Sequence, residues 1–111
     1  MEIKYVLVAV VALFPLAGYS ASFNCQKATK ADEKAVCADR SLNDMDVEMA
    51  TKYQFLQGLF PMGTRAAMRD AQQIWLRNRQ ECGGDTACLT KSYKSRLQQL
   101  DKIYAGITKP L

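Results

Sequence analysis

Gln72 to Leu100 reads QQIWLRNRQECGGDTACLTKSYKSRLQQL, and its middle decides the fold. On either side of Gly83-Gly84-Asp85, apolar residues recur at three- and four-residue steps, the period of a helix. On one unbroken helix Cys82 and Cys88 would face different directions, roughly 9 Å apart along the axis, and could not bond. Two glycines let the chain reverse, so the stretch predicts two helices meeting at a corner with a cysteine on each arm.

Working outward, Asp85 or Thr86 caps the last helix, whose stripe is Leu89, Tyr93, Leu97 with Arg96 beside it, Leu100 and Ile103/Tyr104. Gly106 and Pro110 end it. The preceding helix runs from about Arg65 to Cys82, carrying Met68, Ala71, Ile74/Trp75, Asn78 and Cys82 in phase. Before it, Pro61-Met62-Gly63 reads as a turn with Thr64 as N-cap. Leu42, Met45, Met49, Tyr53, Leu56 and Phe60 mark another long helix. Asp39-Arg40-Ser41 reads as the turn before it, with Ser41 as N-cap and Asp44 echoing a capping box. A short helix is expected over about Lys30–Ala38. The fold class is therefore all-α: a small disulfide-stapled antiparallel helical bundle of three long helices, with the short N-terminal helix across one end. No stretch alternates as a strand would, and there are no internal repeats or low-complexity linkers.

The chain has 111 residues, room for a single domain. Met1–Ala21 reads as a signal peptide: Lys4, an apolar run over Tyr5–Leu16, then the small-residue region Ala17-Gly18-Tyr19-Ser20-Ala21. The run is short of the about 20 apolar residues a membrane span needs. Cleavage is expected after Ser20 or after Ala21, leaving a domain over residues 22–111 with no stable membrane anchor. Cys25 follows Ser22-Phe23-Asn24, not the Leu-rich box that precedes a lipidated cysteine. Four cysteines in a short exported chain point to two disulfides and an oxidising compartment, the periplasm or beyond. Zinc fits poorly, with no histidine and with eleven, forty-four and five residues between successive cysteines. Of the three possible connectivities, Cys25–Cys37 and Cys82–Cys88 are expected. A helix over Lys30–Ala38 carries Cys37 back by roughly 10 Å, a gap that extended Gln26–Thr29 spans.

Catalysis has no obvious seat. Histidine is absent, the cysteines are consumed, and Asp32, Glu33, Asp44, Asp46, Glu48, Asp70, Glu81 and Asp101 read as solvated charges spread over helix surfaces. Asp44 and Glu48, one helical turn apart, make a two-carboxylate hydrolase formally possible, and they read as exposed. Neither a metal nor a cofactor is implied. Trp75 and Tyr93 read as core. Arg79 and Arg96 lie beside apolar stripes, where a guanidinium needs a partner, and Asp46 is the candidate for one of them. Net charge is +4, and it stays so without the leader, which removes Lys4 and Glu2 together. That excess is small for a nucleic-acid partner. Phe60, Met62 and Arg65, an apolar turn carrying a cation in the first turn of a helix, form the candidate partner-binding site. It shares one end with the C-terminus, while both cysteine pairs share the other.

Several stretches together carry a resemblance. They are Phe23-Asn24-Cys25-Gln26-Lys27-Ala28, Glu33-Lys34-Ala35-Val36-Cys37-Ala38-Asp39, Leu42 with Met45-Asp46, then Gln72, Trp75-Leu76, Arg79, Cys82-Gly83, Asp85, Cys88-Leu89, Tyr93 and Arg96-Leu97. In these the chain resembles the lysozyme inhibitor LprI-like family of exported bacterial proteins. The resemblance implies a helical, disulfide-bonded periplasmic domain with Arg79 and Arg96 as framework positions. It also implies a protein partner, a lysozyme or similar wall-cleaving enzyme, inhibited by occlusion. The other expectation is a non-enzymatic structural or stress-related envelope protein that binds another periplasmic protein or an anionic envelope polymer.

Overall fold

The computed structural model describes residues 21–107. The expected leader, apart from Ala21, lies outside the described residues, as does Pro110. A single 3-10 turn at Cys25–Lys27 precedes four helices: α1 (Ala31–Ala38), α2 (Arg40–Leu59), α3 (Met62–Glu81) and α4 (Thr86–Ala105). Helix α4 packs along α2, and α1 lies against both α2 and α3. The result is the all-α stapled bundle expected from the periodicity.

The helix ends correct several details. Glu33 reaches back to the backbone N–H groups of Lys30 and Thr29 to start α1. Asp39, not Ser41, caps α2: its carboxylate accepts from Leu42 N at 3.0 Å, so the interhelical turn shrinks to one residue and Ser41 and Asp44 fall inside the helix. An N-cap needs extended backbone, which Asp39 has (φ −113°, ψ 120°) and Ser41, already in the helix, does not. Helix α3 begins at Met62 behind Pro61, with no side-chain cap, so Gly63 and Thr64 are helical. Proline's fixed φ suits the helix entrance, which explains the earlier start. Asp85 caps α4 by accepting from both Ala87 N and Cys88 N.

The corner between α3 and α4 needs one special residue. Gly83 has φ +57°, the left-handed conformation that L side chains avoid, and its N–H bonds to Gln80 O. Both disulfides form as Cys25–Cys37 and Cys82–Cys88, with Cα separations of 5.8 and 5.6 Å.

The core is Val36, Leu42, Met49, Leu56, Met68, Trp75, Leu89, Tyr93 and Leu100. The α3 stripe is rotated from expectation. Met68, Gln72, Trp75 and Arg79 face inward, whereas Ala71, Ile74 and Asn78 are exposed. Half of the inward positions are thus polar, so apolar pattern alone misplaced the face.

Candidate functional site

The polar side chains on the inner face of α3 create a charge cluster that all four helices share. Arg79 Nε donates to Asp32 Oδ2 of α1 at 2.8 Å, and Arg79 Nη1 donates to the Tyr93 hydroxyl of α4 at 3.0 Å. That hydroxyl donates to Asp46 Oδ1 of α2 at 2.8 Å. Asp46 lies 3.8 Å from Arg79 Nη1, so the tyrosine bridges most of their interaction. The other Asp46 oxygen accepts the backbone N–H of Ser22 at 2.7 Å.

The guanidinium of Arg79 lies 5.5 Å from the Phe23 ring centroid and 5.7 Å from that of Trp75. Trp75 meets Tyr93 edge-on at 5.0 Å and donates its indole N–H to Ser92 O. Burial, then the Asp46 carboxylate, pushes the Tyr93 phenol well above its ordinary range, against the opposing pull of Arg79. Burial works to lower Arg79, but Tyr93 and Asp32 outweigh it and the net shift is upward. These groups are sealed: Asp32 is 1% exposed, Asp46 0% and Arg79 4%. Their polar atoms are taken up by one another, so the chemistry they offer is structural, joining four helices through one guanidinium.

Arg96 makes a contrasting set of contacts. It donates to Gln72 Oε1 at 2.9 Å and to Gln99 Oε1 at 3.0 Å, and burial lowers its pKa. Among the described residues no carboxylate lies within ion-pair distance of it.

The end opposite the disulfides presents a different surface. Phe55, Leu59, Met62 and Tyr104 are all exposed, Met62 at 80%. The rings of Phe55 and Tyr104 lie 6.2 Å apart across α2 and α4. Between them runs a groove of about 210 Å³ lined by Lys52, Phe55, Leu56, Leu100, Asp101 and Tyr104. Lys52 rims it, bonded to Asp101 at 2.9 Å and Glu48 at 2.8 Å; those hydrogen bonds, Asp101 first, raise its pKa. Exposed large apolar side chains gathered at one end are a common mark of a protein-contact surface.

Three residues expected at a contact site fall in unlike surroundings. Met62 projects into solvent. Phe60 is half-buried against the core. Arg65 is half-buried too: its carbonyl accepts from Gln57, and its Nε is shut from solvent without a hydrogen-bond partner among the described residues. This end is therefore apolar rather than cation-tipped. Phe55, Leu59 and Tyr104 were not singled out from sequence for contact; Phe55 and Leu59 stand four apart on α2, outside its inward stripe, which was the available signal.

Asp46 does pair with Arg79, mainly through Tyr93. Asp32, the closest partner of Arg79, reads from the sequence as a surface carboxylate. Its spacing of four from buried Val36 puts it on the inner face of α1. Asp44 and Glu48 are exposed, and Glu48 is engaged by Lys52. Among the described residues no three His, Cys, Asp or Glu side chains stand together as a metal site, and no helix is long and apolar enough to cross a membrane.

No family model matches the chain, and no solved structure matches it. Among curated proteins it is similar to lipoprotein LprI of Mycobacterium bovis and to lipoprotein LprI from two strains of Mycobacterium tuberculosis. In each case 36% of 89 aligned residues are identical, covering 78% of this chain and 43% of the relative. The chain thus spans less than half the length of those relatives.

Proposed function

We propose that this homologue of mycobacterial lipoprotein LprI is an exported binding protein that inhibits a lysozyme or similar cell-wall hydrolase by occlusion. The observation that carries the contact surface is the apolar end formed by Phe55, Leu59, Met62 and Tyr104. Two disulfides and the lipoprotein relatives support an extracytoplasmic setting, for which we propose the periplasm after loss of a leader. Inhibition by occlusion needs no cofactor and no reaction. A rigid bundle that presents solvent-exposed rings at one end has the means to fill a cleft, because ring side chains with two torsions lose little conformational freedom on docking.

The apolar character of that end makes a specific demand on the binding. Contact led by a cation would weaken steeply with salt, whereas contact led by buried apolar area would not. Calorimetry of the oxidised mature protein against lysozymes of several classes, at low and high salt, tests this. One-to-one binding with loss of wall lysis and little salt dependence is the expected result. The +4 net charge supports the second reading, an envelope protein that binds an anionic polymer. Absence of lysozyme binding together with salt-sensitive binding to such a polymer would select it.

A further inference from the structure

The buried charge cluster is short of one cation. Asp32 and Asp46 bring two formal negative charges, and among the described residues the ion pairs of both are with Arg79 alone. Tyr93, held protonated, adds no charge. The remaining donor to Asp46 is an uncharged amide, the N–H of Ser22 at 2.7 Å, a distance the carboxylate's own charge accounts for. Ala21 and Phe23 on either side of Ser22 are half-buried against the core, so this segment is held in place rather than frayed.

We propose that the α-amino group created by removal of the leader is the missing cation, an ammonium that pairs with Asp46 and completes the cluster. The inference rests on reading Met1–Ala21 as a leader and is independent of the partner. In the cleavage, water supplied to an exported-protein signal peptidase breaks one C–N bond. The hydroxyl goes to the departing carbonyl and the water's other hydrogen to the nitrogen; the new carboxylic acid then ionises, and the amine takes up that proton to become an ammonium.

Two bonds satisfy the sequence. A cut between Ala21 and Ser22 puts the charge on the nitrogen that already donates to Asp46. A cut between Ser20 and Ala21 keeps that amide bond and places the ammonium one residue away, about 3.5 Å of chain. Either way, positive charge arrives where the cluster lacks it, and the uncut chain has only an amide there. Glu33, Tyr53 and Arg77 line the same groove as Ser22 and Asp46 and complete the set of titratable groups facing the new terminus, with Asp32, Arg79 and Tyr93 behind. Folding and export are coupled by this arrangement: the last buried charge is balanced only after processing.

The test starts from the full chain expressed in an exporting host. Intact mass and N-terminal sequencing of the mature protein should show a start at Ala21 or Ser22; any other start overturns the proposal. NMR titration of the α-amino group should then place its pKa above the ordinary value of about 8, and Asp46→Asn should return it there. A variant with Gly-Ser added before the native start displaces the ammonium by two residues. At pH 7 its Tm should be lower by about 4–8 °C. The sign follows from linkage: a folded pKa raised above the unfolded one stabilises fully below about pH 8, and the benefit is lost as pH rises through the folded value. The two melting temperatures should therefore converge at high pH. Should Asp46→Asn fail to fold, the extended variant still decides, because equal Tm at every pH would sink the idea.

Discussion

The two ends of the bundle are built on opposite principles. At one end, the Cys25–Cys37 and Cys82–Cys88 bridges, the Asp85 cap and the Asp32–Arg79–Tyr93–Asp46 cluster hold α1, the α3–α4 corner and the N-terminal segment in one arrangement. At the other, α3 starts behind Pro61 without a side-chain cap, the ion pairs of Lys52 are exposed, and Phe55, Leu59 and Met62 face water. A chain this small has little core, so staples and a buried ion cluster at one end supply order that the far end does not contribute. The apolar far end is then free to serve contact instead of stability.

Arg79→Met should have the largest effect, because it strands two buried carboxylates. Urea unfolding should show a loss of about 3–5 kcal/mol. A loss below about 1 kcal/mol would mean the cluster is not what distinguishes this end. Next come the staples. Replacing Cys25 and Cys37 together by serine should cost about 2–4 kcal/mol. The Cys82–Cys88 pair should cost about 0.6 kcal/mol less, since its sequence separation is 6 rather than 12 and loop-closure entropy scales with the logarithm of length. Equal or reversed costs would show that the corner, not the loop, is what the second bridge holds.

Alkaline pH probes the same end without mutation. The folded pKa of Tyr93 is raised, so the folded state keeps a proton that the unfolded state releases near its ordinary value of about 10. The stabilisation is complete below that pH and falls as pH rises above it. Ultraviolet titration should find Tyr93 ionising only together with unfolding; a phenolate in the folded protein would break the picture. The smallest effect on stability is expected at the opposite end. Phe55→Ser with Leu59→Ser should change stability by no more than about 0.5 kcal/mol per site. Under the proposed function, the same double variant should weaken lysozyme inhibition at least about tenfold, the loss of roughly 1.4 kcal/mol of contact. Unchanged inhibition would move the contact surface elsewhere.

Much of the stapled end was legible in the sequence, and the reason is local. Cysteine spacing, the glycine pair and the Asp85 cap act within at most 12 residues, so the corner and both bridges followed from periodicity and reach alone. The charge cluster was legible only in part. Arg79, Tyr93 and Asp46 lie in or beside apolar stripes, but Asp32 reads as a surface charge because a carboxylate on a short polar helix looks solvated until its partner is known. At the open end the apolar turn was visible around Met62, while Phe55, Leu59 and Tyr104 were not marked, because exposure depends on which faces neighbouring helices cover.

By itself, then, the sequence determined the helices, their order, the cysteine pairing and hence the all-α class, since each rests on contacts between residues near one another in the chain. Only the tertiary structure decided which carboxylate meets Arg79, how α3 is rotated, and which apolar residues stay in water. Those outcomes join positions 47 residues apart, as in the Arg79–Asp32 and Tyr93–Asp46 bonds, and no local periodicity encodes such a meeting. Packing settles it, because a buried charge takes whichever partner the assembled helices bring within reach.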